Sequence, residues 1–259
     1  MNIDLSNKTA IINGASQGIG KACAIELASL NANVVILARN EENLKQTLSE
    51  LKGNGKHAYI VADVENLEDL ENKIREYLKN NTVNILINNS GGPPAGPIST
   101  AKSEEFTKAF SNHLLCNHLL AGLVIPGMKE SKYGRIINII STSVKIPLKG
   151  LGVSNTIRAA VANWSKTLSN ELAPFGITVN NVLPGATLTG RLSSIIENKA
   201  QKTAHSVDAV TEEMINEIPM QRFAEPAEIA AAVAFFASPA SSYITGTNMP
   251  VDGGRTGNL

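Results

Sequence analysis

Two stretches of this sequence carry residue types and spacings from which chemistry can be built. The first is NGASQGIG, where Gly14, Gly18 and Gly20 follow a GxxxGxG spacing between an apolar β-branched run and a helical pattern. Glycine lets the backbone turn sharply and lie close to a ligand, and a helix starting there offers free N–H groups to anionic oxygens. The turn suits a dinucleotide pyrophosphate, with Ser16, Gln17 and Ile19 inside it. The second is GVSNTIRAAV, whose helical pattern sets Ser154 and Arg158 four residues apart on one helix face. A hydroxyl and a permanent cation stand together there.

The adenosine end of such a cofactor is usually read just after the second strand, where a carboxylate would accept from a ribose 2′-hydroxyl and repel a 2′-phosphate. Here that strand ends Ile36, Leu37, Ala38, Arg39, Asn40, with no carboxylate at its tip. Arg39 can hold a phosphate bidentately, which favours NADP(H) over NAD(H); the other reading is an ordinary surface arginine. Asp63, followed by Val64 in VADV, either hydrogen-bonds the adenine amino group or caps the next helix.

These groups need a frame that brings strand ends together, and the chain supplies its rhythm. The runs TAIING, NVVILAR, HAYIVADV, VNILINNS, GRIINIIS and GITVNNVLPG, with a last strand over 248–251, read as strands. Helical patterns start between them at Ile19, Glu41, Leu67, Ser103 and Ser154, and a further one covers 226–238. Nearly continuous apolar strands in βαβ alternation predict one α/β Rossmann-type domain over 1–259, a doubly wound parallel sheet with helices on both faces. Ligands of such sheets bind beyond the carboxyl ends of the strands.

Composition sets the outer bounds. The 259 residues are 43% hydrophobic, enough for a sizeable core, and 23 basic residues balance 23 acidic ones. That balance gives no electrostatic reason to expect nucleic acid or an anionic membrane as partner. The longest apolar run, 229–237, falls well short of the roughly 20 residues of a membrane span. The N-terminus lacks the basic and apolar parts of a signal peptide, so a cytoplasmic location follows by default. Cys23 and Cys116 have neither a CxxC partner nor metal-ligand spacing; both read as reduced packing residues, and no metal is expected.

The glycine turn, the sequence NNSG at its Asn88, Asn89, Ser90 and Gly91, GRIINIIS ending at Ser141, and LPGATLT containing Pro184, Gly185 and Thr189 occur in order. With the tail IPMQRFAEPAEIAAAVAFFASPASSYITGTNMPVDGG, they make the whole chain resemble the short-chain dehydrogenase/reductase family, and most of all its 3-oxoacyl-acyl-carrier-protein reductase-like members. The resemblance implies hydride transfer between a nicotinamide and a small-molecule carbonyl or acyl thioester. It also implies homo-oligomers, dimers or tetramers. It assigns Asn88, Asn89 and Gly91 to the cofactor-side turn, Pro184 and Gly185 to the nicotinamide pocket, and Thr189 to the cofactor's carboxamide or phosphates.

The family's serine falls on Ser141, but its tyrosine position, after twelve intervening residues, is Ser154, and its lysine position is Arg158. The family's asparagine in the preceding long helix becomes His113. One of four catalytic residue types is therefore retained. A phenol of pKa about 10 can be tuned toward working pH by a nearby cation, whereas a serine alcohol is a poor proton donor. Arg158 can hold ribose hydroxyls or stabilise an anion, but it does not pass a proton as lysine does. Unreplaced, the lost acid would cost roughly 10²- to 10⁴-fold in rate. His113 either replaces it, as an imidazole titrating near neutrality, or is a hydrogen-bonded core residue, with His118 likewise structural. Lys145 is near enough to Ser141 to reach the pocket or is simply solvated, and Tyr59, Tyr77, Tyr133 and Tyr243 lie away from the motif positions.

GGPPAGP, residues 91–97, either walls the substrate pocket or is a plain connector, and residues 191–220 occupy the place of the family's substrate lid. Two function classes follow. One is an NADP(H)-dependent oxidoreductase with altered proton chemistry around Ser141, Ser154, Arg158 and His113. The other is a nucleotide-binding sensor or silent subunit without useful turnover.

Overall fold

The seven strands are β1 (Thr9–Asn13), β2 (Asn33–Ala38), β3 (His57–Val61), β4 (Ile85–Asn88), β5 (Gly134–Ile139), β6 (Ile177–Pro184) and β7 (Asn248–Val251). In the computed structural model, which describes residues 1–257, they form one sheet in the order β3-β2-β1-β4-β5-β6-β7, every neighbouring pair parallel. This is the expected doubly wound sheet.

Its two faces are both apolar, as the strand sequences require: Ile12 and Ile36 point into one core and Ile11 and Val35 into the other. The first core is covered by α1 (Gly18–Ser29), α2 (Glu41–Glu50) and α9 (Pro226–Ala237), through Leu27, Leu44 and Phe236. The second lies under α3 (Leu67–Leu78), α5 (Cys116–Glu130) and α6 (Gly152–Leu172), through Ile74, Leu120 and Leu172. Cys23 and Cys116 are buried and unbonded to each other, and burial pushes both thiols up, Cys116 to about 12.

The helix starts are set by local chemistry. Asn40 and Asn66 cap α2 and α3 with their side chains, accepting from Asn43 N at 2.8 Å and Asp69 N at 3.1 Å. Asp63 is therefore not the helix cap that was one of its two readings; its carboxylate turns back on Glu65 N at 3.0 Å. The helix expected from Ser154 begins at Gly152, because Gly96 N donates to Gly150 O and Gly152 N to Gly96 O, pinning the 91–97 loop against the entry of α6.

The long helical region expected from Ser103 is interrupted. α4 (Ser103–Phe110) passes into a π-helical turn, Ser111–Leu115, before α5 resumes. Such wide turns carry an extra residue per turn and recur at functional sites. Here the turn brings His113 inward.

A row of asparagines crosses the α6 side of the sheet. Asn88 Nδ2 donates to Asn138 Oδ1 at 2.8 Å, Asn138 Nδ2 to Asn181 Oδ1 at 3.0 Å, and Asn181 Nδ2 to Asn248 Oδ1 at 2.7 Å. These residues are partners in the strand register of β4, β5, β6 and β7. A register slip of one residue would strand every amide in apolar surroundings, so the row specifies alignment. Asn138 Nδ2 also reaches Ser165 Oγ of α6 at 3.2 Å. Ser165 lies seven residues past Arg158, two turns along the same face, so the row also seats the helix that carries Ser154 and Arg158.

Candidate active site

The strand order reverses between β1 and β4, and a cleft of about 1440 Å³ opens beyond the strands' carboxyl ends. At the reversal, Asn89 Nδ2 donates to Gly14 O at 3.0 Å, closing the glycine turn against the end of β4. Gly14 has φ +67°, and a Cβ there would lie 2.3 Å from the Asn89 carbonyl oxygen. At Gly20 a Cβ would come within 2.2 Å of Gly14 O. No side chain fits either place, so the turn keeps its backbone open along the cleft. The Gln17 side chain makes no cap bond to the first turn of α1, leaving those N–H groups to a ligand. This cradle fits a dinucleotide pyrophosphate.

Gln17, Gly18 and Ile19 line the cleft beside it, and Asn89 and Gly91 line the wall after β4. Pro184, Gly185 and Thr189 form the wall after β6. Gly20 supports the turn from behind, Asn88 belongs to the asparagine row, and Ser16 is half-buried outside the lining. Gly91 is not demanded by packing, since a Cβ there would meet nothing within 4 Å.

Arg39, Asp63 and Val64 also lie outside the cleft lining. Arg39 is 68% exposed and stands 3.9 Å from the Asp63 carboxylate. The Val64 side chain, partly buried, packs on the second core.

Ser141, Ser154 and Arg158 line the same cleft as the glycine turn. Ser141 follows β5 directly; its Oγ accepts from Ser143 N at 3.1 Å, which leaves its own hydroxyl proton to donate. Ser154 and Arg158 project from the first turns of α6 and are both buried. Arg158 donates to Ile139 O at 3.2 Å and to Ser90 O at 3.3 Å. Burial, with the nearby charge of Arg191, brings Arg158 down to about 10, so it remains a cation at neutral pH.

His113 does not line the cleft. It is 2% exposed, with Nδ1 2.6 Å from Ser90 Oγ, and burial together with Arg158 and Arg191 holds it at about 3. The expectation of an imidazole titrating near neutrality is corrected: desolvation and two neighbouring cations keep the ring neutral, the core reading. His118, by contrast, is not in the core. It is exposed and meets Trp164 edge-on, with ring centroids 6.3 Å apart.

None of the four tyrosines lines the cleft; Tyr59 bonds Glu41, Tyr133 bonds Ala237 O, and Tyr243 is fully exposed. Lys145 is half-buried and also outside the lining. Among the described residues, no three His, Cys, Asp or Glu side chains converge as a metal site.

The 91–97 loop both pairs with α6 and walls the cleft, through Gly91, Gly92 and Ala95. Residues 191–220 fold as α7 (Gly190–Thr203) and α8 (Val207–Asn216), joined by a small apolar cluster around Leu192, Ile196 and Val210. The sequence reading gave no role to Arg191, whose guanidinium lines the cleft and donates to Pro93 O at 2.5 Å. Its position two residues after Thr189 was the available signal. His205, also on the cleft, had none.

Known proteins match this chain along nearly its whole length. The family model described as Enoyl-(Acyl carrier protein) reductase matches residues 14–256. The chain is 32% identical over 254 residues to the NADPH-dependent reductase BacG of Bacillus subtilis (strain 168), covering 96% of this chain and 98% of that one. It is 36% identical over 252 residues to the 3-oxoacyl-[acyl-carrier-protein] reductase FabG of Rickettsia bellii (strain RML369-C), covering 97% and 98%. The solved structure of L-sorbose reductase from Gluconobacter frateurii, complexed with NADPH and L-sorbose, superposes with a TM-score of 0.93 at 28% identity, covering 100% of both chains.

Proposed function

The chain belongs to the short-chain dehydrogenase/reductase family, and from that premise we propose that it is an NADP(H)-dependent reductase of a small carbonyl compound or acyl thioester. The observation that carries this reading is one cleft lined both by the glycine turn and by Ser141, Ser154 and Arg158. Arg39, largely exposed beyond β2, suits a 2′-phosphate, and relatives that are NADPH-dependent support the same choice.

When bound, the dinucleotide supplies the hydride. In this reading Gly14, Gln17, Gly18 and Thr189 hold its phosphates and carboxamide, with Pro184 and Gly185 beside the nicotinamide. Ser141 donates its hydroxyl proton in a hydrogen bond to the carbonyl oxygen, and Ser154 holds that oxygen from the other helix. As the carbonyl carbon gains hydride, its π pair moves onto oxygen, and the charge of Arg158 one helical turn away stabilises it. With no tyrosine on the cleft and His113 neutral behind Ser90, the final proton comes from water in the open cleft. Assembly of two or four copies belongs to the same reading, supported by Phe110 and Leu115, which are exposed on the long helical region.

The second reading, a nucleotide-binding sensor or silent subunit, is favoured by the same missing acid. One experiment separates the two: NADPH oxidation against 3-oxoacyl thioesters and small ketones, with NADPH binding followed in the same samples. Saturable turnover supports the reductase. Tight binding with no substrate-dependent oxidation across the panel replaces it with the second reading.

A further inference from the structure

The cleft holds two guanidinium groups with no carboxylate to face. Other arginines stand beside acids: Arg39 by Asp63, Arg75 by Glu71, Arg222 by Glu228 and, on the cleft itself, Arg255 by Glu217. Arg135 is off the cleft and lies against the Tyr133 ring and backbone carbonyls. Arg158 and Arg191, among the described residues, have only carbonyl partners: Ile139 O and Ser90 O for the first, Pro93 O for the second.

Those partners aim the two groups at one place. Ser90 and Pro93 lie on the same short stretch after β4, so a single loop holds one guanidinium from α6 and one from α7 at the same wall. The two are close enough that the charge of Arg191 adds to burial in lowering Arg158. Arg191 is itself lowered by burial. Of the acids that line the cleft, Glu213 is engaged with Lys199 at 3.0 Å and Glu217 with Arg255, while Glu225 stands at the N-cap position of α9. A buried cation, Arg158, with a second cation beside it and no counter-charge is costly unless an anion joins them.

We propose that Arg158 and Arg191 form a seat for a carboxylate carried by the substrate, so that the substrate is an oxo acid. This rests on the reductase reading and narrows its substrate class. A guanidinium fork matches a carboxylate with two parallel hydrogen bonds, and the carbonyl oxygens of residues 90 and 93 hold each fork while leaving further N–H donors free. Ser154 lies one turn from Arg158 on the same helix, which puts the carboxylate within a few bonds of the reacting carbonyl. The class is therefore a 2- or 3-oxo acid, with its chain running toward the apolar side chains of Leu148, Leu151 and Leu188 on the same cleft. Arg191 arrives on α7, so that helix and the substrate meet at this seat.

The test compares 2-oxohexanoate and 3-oxohexanoate with their ethyl esters, by calorimetric titration onto the NADPH-saturated protein and by NADPH oxidation. The wild type should bind or turn over at least one acid about tenfold better than its ester, the scale of a charged hydrogen-bonded contact. Arg191→Gln, at the exposed member of the pair, should bring that ratio near one while NADPH affinity stays within about twofold. Arg191→Lys, which keeps charge but not the fork, should restore only part of it. Equal binding of acid and ester by the wild type overturns the proposal. So does an Arg191→Gln variant that loses NADPH as strongly as it loses the acid, since the guanidinium would then serve the cofactor's phosphates. Acid-selective binding that depends on Arg191 without any oxidation of NADPH supports the seat and removes the reductase reading alone.

Discussion

The Ser90 hydroxyl and the His113 ring are joined at 2.6 Å between Oγ and Nδ1, and the Ser90 carbonyl in turn receives Arg158 Nη2 at 3.3 Å. One residue at the end of β4 thus ties the π-helical turn to α6. Burial, with the charges of Arg158 and Arg191, keeps the ring it holds neutral.

Acid stability follows from that pair. His113 is held at about 3, below its ordinary 6.5, so the unfolded chain binds the proton more readily than the folded one. Stability from this group is complete above about pH 6.5 and is lost as pH falls toward 3, at about 1.4 kcal/mol per pH unit within the window. Urea unfolding of wild type and His113→Gln at pH 7 and pH 4.5 should show the variant losing less on acidification. Equal losses would mean that His113 already titrates normally.

The glycine turn gives a paired contrast. Gly20→Ala forces a methyl against Gly14 O and should lower NADPH affinity by tenfold or more, with about 2 kcal/mol of stability lost. Gly91→Ala meets open space and should leave the melting temperature within a few degrees of wild type. Calorimetry and NADPH titration of both variants check the pair, and equal behaviour would contradict this account of the turn.

On the proposed reading, cofactor choice rests on Arg39. Arg39→Ala should weaken NADPH by roughly 10- to 100-fold, the scale of a charged hydrogen-bonded contact, and leave NADH nearly unchanged. Asp63→Asn removes the carboxylate 3.9 Å away and should tighten NADPH modestly. Fluorescence titration with both nucleotides reads the difference; parallel losses for the two in Arg39→Ala would remove the arginine from phosphate recognition.

Proton supply is tested by adding what the cleft lacks. Ser154→Tyr combined with Arg158→Lys places a phenol and a tuning ammonium on the wall already formed by α6, and kcat for a simple ketone should rise by about 10² or more. An unchanged kcat in a folded, NADPH-binding double variant would show that protonation does not limit the rate.

The asparagine row has its own signature. Asn138→Ala removes the partner of Asn88 Nδ2 and of Asn181 Oδ1 in fully buried surroundings, and should cost roughly 2–4 kcal/mol. Chemical denaturation measures it, and a loss below about 1 kcal/mol would show the row to be dispensable.

Much of this was legible in the chain as written. The βαβ rhythm announced the parallel sheet because strands buried on both faces must be apolar throughout, and TAIIN, NVVILA and ILIN are nearly so. The glycine turn was readable because backbone geometry is a local property: where φ is positive and a neighbour's carbonyl sits 2.3 Å from a would-be Cβ, only glycine serves. Ser141, Ser154 and Arg158 were found through the resemblance to the family, whose serine, tyrosine and lysine positions they occupy.

What depends on distant parts of the chain meeting was decided by the tertiary structure. Burial and charge around His113 come from Ser90, Arg158 and Arg191, which lie 23, 45 and 78 residues away in sequence, so no local reading could give its protonation state. Asp63 could cap a helix by its position, but Asn66 sits where the first turn of α3 presents its amide. Arg191 is an ordinary residue until α7 places it against Pro93, and only there does its charge stand beside that of Arg158. Local sequence sets backbone shape and helix faces, whereas desolvation and the sum of neighbouring charges arise only once the chain has packed.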